Sequence, residues 1–149
     1  MHLRSPRLRG GLAGRRSLSG VVAAMVDAGR QTSLYGIRDD EDKEKLSSKV
    51  WARALDEGDE LATDLFDTAI EVLGTAIGSA INLLDLERVV VGGGLPDKLG
   101  QDLADRIAAA AQPWPLQPNP ELSFVVSTLG DDAGVVGAAS LARAAVVSG

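Results

Sequence analysis

Two glycine-bearing turns hold the residues of this 149-residue chain that could do chemistry: Gly92-Gly93-Gly94, directly after Val89-Val90-Val91, and the stretch from Gly130 through Asp131, Asp132 and Ala133 to Gly134. Consecutive residues without a Cβ let a flat base or a phosphate approach peptide N–H groups that side chains would otherwise shield. Gly130 and Gly134 would present N–H groups at the start of the last helix, where the helix dipole favours an anion. A tight turn after a strand needs such residues whether or not a ligand binds, so the glycines alone do not decide between the two roles. Neither turn is a G-x-G-x-x-G sequence, and no Lys-Ser or Lys-Thr closes a Walker A loop, so phosphate binding here would differ from both. Asp131 and Asp132 would repel a phosphate directly. They read as capping and first-turn acids in preference to a contact with a ribose or, through water, with magnesium.

Other chemistry is excluded by what the chain lacks. It has no cysteine and a single histidine, His2, which rules out thiolate zinc sites, a cysteine nucleophile and a Ser-His-Asp set built on a packed histidine. No pair of acids is arranged as acid and base, so no catalytic residue and no metal ligand is assigned. Trp51, Trp114 and Tyr35 are too scattered to form a base-stacking platform and read as packing residues. The net charge of -6 argues against broad affinity for nucleic acid or anionic lipid, although Arg4, Arg7, Arg9, Arg15, Arg16 and Arg30 crowd the first thirty residues. A hydrophobic content of 45% with 24% charge is that of a soluble globular protein with a core of Ala, Val, Leu and Ile.

The elements that must position the two turns follow from periodicity. Residues 1–20 carry no sustained apolar period and read as a flexible basic leader; residues 21–149 read as one domain. Val21 to Ala28 is consistent with a short helix, and Asp39 to Lys45 is a charge run expected to be solvated. Ser47 or Ser48 caps a helix that Gly58 ends, and Asp59 caps the next. From Glu60, the positions Leu61, Leu65, Ile70, Leu73, Ile77, Ile81 and Leu84 follow one helical face. Gly74 and Gly78, one turn apart, each cost about 1 kcal/mol relative to Ala and imply another backbone crossing close by. Val72 to Leu84 is too short and too polar for a membrane span and reads as a buried core helix; the apolar stretch Leu18 to Val26 is too interrupted for a signal peptide, so a cytoplasmic location is expected. Arg88 to Val91 reads as a strand buried on both faces of a parallel sheet, Lys98 to Gln112 as a helix, Pro113 to Pro120 as extended chain, Leu122 to Thr128 as a second strand and Val135 to Val147 as a closing helix. The strands and the helix between them should form a right-handed βαβ unit, with both glycine turns at the carboxyl ends of the strands, where open α/β sheets bind ligands.

With these residues in order, the chain resembles ROK-family, glucokinase-like sugar kinases over roughly residues 30–145. The resemblance lies in Val50-Trp51-Ala52-Arg53-Ala54-Leu55-Asp56-Glu57-Gly58-Asp59-Glu60-Leu61-Ala62, the long helix, Asn82-Leu83-Leu84-Asp85 before Val89 to Leu95, and Leu129 through Gly134 to Ala139. It implies an α/β fold of the actin-like, hexokinase type (ribonuclease H-like), present here as part of the C-terminal lobe. It makes Gly92, Gly93 and Gly94 the adenosine motif beneath the nucleoside of ATP, and the helix around Gly134 and Gly137 the family's second connecting helix. A family member binds ATP and magnesium and transfers the γ-phosphoryl group to a sugar hydroxyl deprotonated by an aspartate. This sequence departs from the family in lacking the Asp-x-Gly-x-Thr phosphate loop, the Asn-Asp segment with the catalytic base and the cysteine-rich zinc site. The expectation is therefore an ATP-binding C-terminal part, truncated and inactive alone, that meets a sugar only when the N-terminal half is supplied. Two further readings stand beside it: the effector domain of a ROK-type transcriptional repressor, and a partner that forms homodimers through this lobe.

Overall fold

The computed structural model describes residues 18–114 and 119–147. The arginines of the leader up to Arg16 and the centre of the proline-rich segment, whose extended geometry was expected, lie outside the described residues. The chain divides into two compact units at Gln31 and Thr32. In the first, helix α1 (Leu18–Asp27) begins slightly before the stretch expected to be helical and buries Val22. It ends where the N–H groups of Gly29 and Arg30 turn back to Val26 O and Met25 O, with Gly29 at φ +91°.

The second unit runs α2 (Leu34–Asp40), α3 (Ser48–Asp56), α4 (Glu60–Leu84), β1 (Arg88–Val91), α5 (Pro96–Leu99), α6 (Gln101–Ala111), β2 (Ser123–Val126), a 3-10 turn (Gly130–Asp132) and α7 (Ala133–Val147). Helix α2 was not expected, because its sequence runs into the charged stretch. It forms because Leu34 and Ile37, three apart, are both buried while Asp39 and Asp40 stay in solvent. Helix α3 behaves as its sequence indicates: Ser47 Oγ accepts from the Val50 N–H, and Gly58 at φ +75° ends the helix with bonds from Gly58 and Asp59 N–H to Leu55 O and Ala54 O. Lys49 and Arg53 of α3 pair with Glu41 beyond α2, and Arg53 also reaches Glu57.

Helix α4 is capped by Asp59, whose Oδ1 accepts from the Ala62 N–H at 2.7 Å. The same carboxylate ties down the chain entering α2: it accepts from Ser33 N–H at 2.6 Å, from Ser33 Oγ at 2.9 Å and from Thr32 Oγ1 at 3.0 Å. The buried face of α4 packs on α6 through Phe66, Ile70, Leu103 and Ile107, with Ile77, Val91, Leu99, Ala110 and Phe124 packed around them. The glycine notch is confirmed as a packing device: a Cβ on Gly74 would stand 2.6 Å from the backbone carbon of Ala110, and one on Gly78 would collide with the Trp114 side chain. Asn82 Nδ2 completes the crossing by donating to Trp114 O at 3.0 Å.

Three expectations need correction. Helix α4 is not buried all round, since Val72, Leu73, Leu83 and Leu84 are exposed. The helix expected over Lys98 to Gln112 is two helices, α5 and α6, because Gly100 breaks the spiral at φ 65°, ψ -152°. Strand β1 is not buried on both faces. It pairs in parallel with β2, Val89 with Phe124 and Val91 with Val126, in a sheet of two strands among the described residues. The face carrying Val91 and Phe124 packs on the helices, whereas Val90 on the opposite face is 60% exposed.

Candidate functional site

Parallel pairing in register sends both turns out of the same end of the sheet, because Val91 stands beside Val126 at the carboxyl ends of β1 and β2. The ladder closes with Ser127 N–H donating to Val91 O at 2.9 Å. Beyond that bond the chain opens into Gly92-Gly93-Gly94 on one side and Ser127 to Gly130 on the other. The structure thus brings Gly92, Gly93, Gly94 and Gly130 to one edge, with Gly134 in the first turn of α7.

The three consecutive glycines differ in what surrounds them. At Gly92 a Cβ would approach Ser127 Cβ at 3.2 Å, so the residue is small because the second turn lies against it. At Gly94 a Cβ would stand 2.8 Å from Ser48 Oγ, so this glycine lets the first turn of α3 close on the loop. At Gly93 a Cβ would meet nothing within 4 Å among the described residues, and the backbone is at φ +117°, a conformation that costs any other residue strain. Gly93 is therefore the exposed centre of the turn, and the other two hold its walls. None of the N–H groups of Gly92, Gly93 and Gly94 has a protein acceptor among the described residues. Open space over a side-chain-free peptide with uncommitted donors fits a flat base or a sugar lying on the backbone.

The second turn is less suited to an anion than its glycines imply. Gly130 is at φ +48°, and Asp132 N–H donates back to Leu129 O at 3.0 Å within the 3-10 turn. Asp132 ends the 3-10 turn just before α7, whose own first turn carries no acid. Around Gly134 and Gly137 a Cβ would meet no atom within 4 Å, so no helix crosses there among the described residues. Two residues that the sequence did not mark as site residues also reach this edge, Ser48 and Asp97. Asp97 had only a weak signal, the Leu95-Pro96-Asp97 start of α5, and Ser48 had none, since its approach depends on α3 folding back. Among the described residues no cluster of His, Cys, Asp or Glu could hold a metal ion by itself. Ionisation is displaced at the junctions around Glu41, Arg53 and Asp59.

The sequence profile described as the ROK family matches residues 21–145. The chain belongs to the ROK family. Among curated relatives, this ROK chain is 34% identical over 99 residues to a protein named glucokinase from Halalkalibacterium halodurans; the match covers 66% of this chain and 30% of that protein. A crystal structure of a Cytophaga hutchinsonii protein assigned as a sugar kinase superposes with a TM-score of 0.62 at 23% identity, over 83% of this chain and 39% of that one. A ROK family transcriptional regulator, a homologue of the E. coli MLC protein, superposes with a TM-score of 0.55 at 25% identity, over 71% of this chain and 25% of its own. The ROK chain thus spans about a third of the length of the relatives it matches, and its helix-rich α/β fold is that of actin-like sugar kinases and regulators.

Proposed function

We propose that this chain is the nucleotide-binding C-terminal part of a ROK-type, glucokinase-like sugar kinase, holding the nucleoside of ATP on Gly92, Gly93 and Gly94 beside the turn that starts at Gly130 and runs to Gly134. The observation that carries this reading is the turn after β1, with open space over Gly93 and three N–H groups without a protein acceptor among the described residues. Membership of the ROK family and the identity to a protein named glucokinase support it. Transfer of a phosphoryl group to a sugar hydroxyl also requires a phosphate loop and an aspartate base, and no Asp-x-Gly-x-Thr run occurs in these 149 residues. The chain on its own is therefore expected to bind ATP without phosphorylating sugar; magnesium would arrive with the phosphates, and a sugar would need residues beyond these. Among the described residues no helix is long and apolar enough to cross a membrane, and work in the cytoplasm, where ATP is available, is part of the proposal.

Calorimetric titration of the folded chain with ATP and with ADP tests this. Saturable binding, accompanied by a rise in Tm that grows with nucleotide concentration, is expected. Absence of heat at millimolar nucleotide, from a chain shown to be folded by circular dichroism, would remove the nucleotide claim. The match to a ROK regulator favours a second reading, the effector domain of a transcriptional repressor. A chain that ignores ATP but is stabilised by a free sugar would support the repressor instead. Sedimentation of the same sample tests the homodimer reading, which a strict monomer would overturn.

A further inference from the structure

The two glycine turns meet at Asp97. Its N–H donates to Gly93 O at 3.1 Å, which fixes the residue to the centre of the first turn. Its Oδ2 lies 3.8 Å from where a Cβ on Gly130 would stand, so the carboxylate reaches the second turn. The side chain is exposed, and the carboxylate has no hydrogen-bond or ion-pair partner among the described residues. An acceptor-only group, free of protein donors, thus stands between the two edges of the candidate site.

We propose that Asp97 reads the ribose of a bound nucleotide, its carboxylate accepting hydrogen bonds from the 2′- and 3′-hydroxyls. The assignment rests on the nucleotide reading above and selects the part of the nucleotide that this residue meets. Phosphate is excluded by like charge. A base amino group offers donors, but on adenine it is flanked by ring nitrogens whose lone pairs would face the carboxylate. A vicinal diol presents two adjacent donors and no charge, matching the two oxygens of one carboxylate. Hydrogen bonds to an ionised acceptor are stronger than neutral ones, and an acid near a strand end serves the ribose in the same way in dinucleotide-binding folds. The nucleotide then lies with its sugar toward Gly130 and its phosphates leading away from Asp97 and Asp132. The second turn faces the sugar and not the anion.

The test is a calorimetric comparison of ATP, 2′-deoxy-ATP, 3′-deoxy-ATP and 2′,3′-dideoxy-ATP on the full chain and on its Asp97→Ala and Asp97→Asn variants. The wild-type chain is expected to bind ATP about tenfold or more tighter than the dideoxy analogue. D97A should bind every analogue with the wild-type chain's dideoxy affinity, and D97N should fall between. The Asp97 N–H bond to Gly93 O survives both substitutions, and circular dichroism confirms that each variant is folded; should D97A fail to fold, D97N and the wild-type analogue series decide alone. A D97A variant that keeps the full preference for ATP overturns the assignment, as does one that binds all analogues more tightly by the same factor, which would make Asp97 only a source of repulsion. A wild-type chain that binds ATP and the dideoxy analogue equally overturns this inference and leaves the nucleotide reading standing. Binding of neither removes both.

Discussion

At the level of single residues, the glycines of this chain answer different physical demands, and only their neighbours tell them apart. Gly74 is small because the backbone of Ala110 crosses over it, and Gly93 is free because its φ of +117° excludes side chains while its surroundings are open. Gly36, in the short helix α2, answers neither demand: its backbone φ is not positive and a Cβ there would meet nothing within 4 Å. Opposite outcomes follow for the same substitution. Gly74→Ala should destabilise the chain by about 2 kcal/mol, since a methyl group forced against a fixed backbone is overpacking that no rotamer change relieves. Gly36→Ala should stabilise it by about 0.5–1 kcal/mol through reduced freedom of the unfolded chain and better helix propensity. Urea denaturation of both variants checks the pair, and equal shifts of the midpoint would refute the packing account.

At the level of elements, Asp59 joins the start of α4 to the chain entering α2. Burial pushes its carboxyl upward, but the Ala62 and Ser33 N–H groups and the hydroxyls of Ser33 and Thr32 more than offset this and hold it below the ordinary carboxylate value. A group depressed in the folded state stabilises above its unfolded pKa, and the contribution is lost as the pH falls through its folded value. Asp59→Ala should therefore cost about 1–2 kcal/mol at neutral pH, the worth of a good helix cap, with the difference from the wild-type chain shrinking as the pH drops below about 4. Unfolding curves across that range read the effect, and a difference that stays constant into acid would contradict it. This junction also marks the limit of what the sequence discloses. Asp59 as a cap, the span Glu60–Leu84 and the strand Arg88–Val91 are legible because capping, period and β-branching are local signals. The buried face of α4 is less legible: it centres on Phe66, Ile70, Gly74, Gly78 and Ile81, so its middle consists of residues that no hydrophobic count marks, while Leu73 and Leu84 are exposed. Helix α2 was hidden by its charges. The glycine turns were visible as candidate site residues, but Asp97 and Ser48 reach them only through tertiary folding.

At the level of the whole molecule, stability is distributed unevenly, and the second unit has a packed side and an open one. Its packed side joins α4, α6 and the inner face of the sheet, where Ile107 and Leu103 are buried. Its open side comprises Val90 on the outer face of β1 and helix α7, in which Val135, Val136, Leu141 and Val146 are all exposed. Helix α7 is apolar around nearly its whole circumference, with Arg143 as its single charge, a composition normally found in buried helices. Fifteen residues without a packed face sit near the limit at which a helix holds in water, because tertiary burial supplies most helical stability. Amide hydrogen exchange should therefore separate the chain into two classes. The amides of α4 and α6 that face each other should exchange only through cooperative unfolding, and those of α7 at least about tenfold faster through local opening. Urea sharpens the contrast: its concentration should accelerate exchange in α4 and α6 steeply, since their opening exposes the shared core, and leave α7 almost unaffected, since its opening exposes little that is not already in solvent. Protection of α7 equal to that of α4, with the same urea dependence, would mean that its apolar surface is covered in solution.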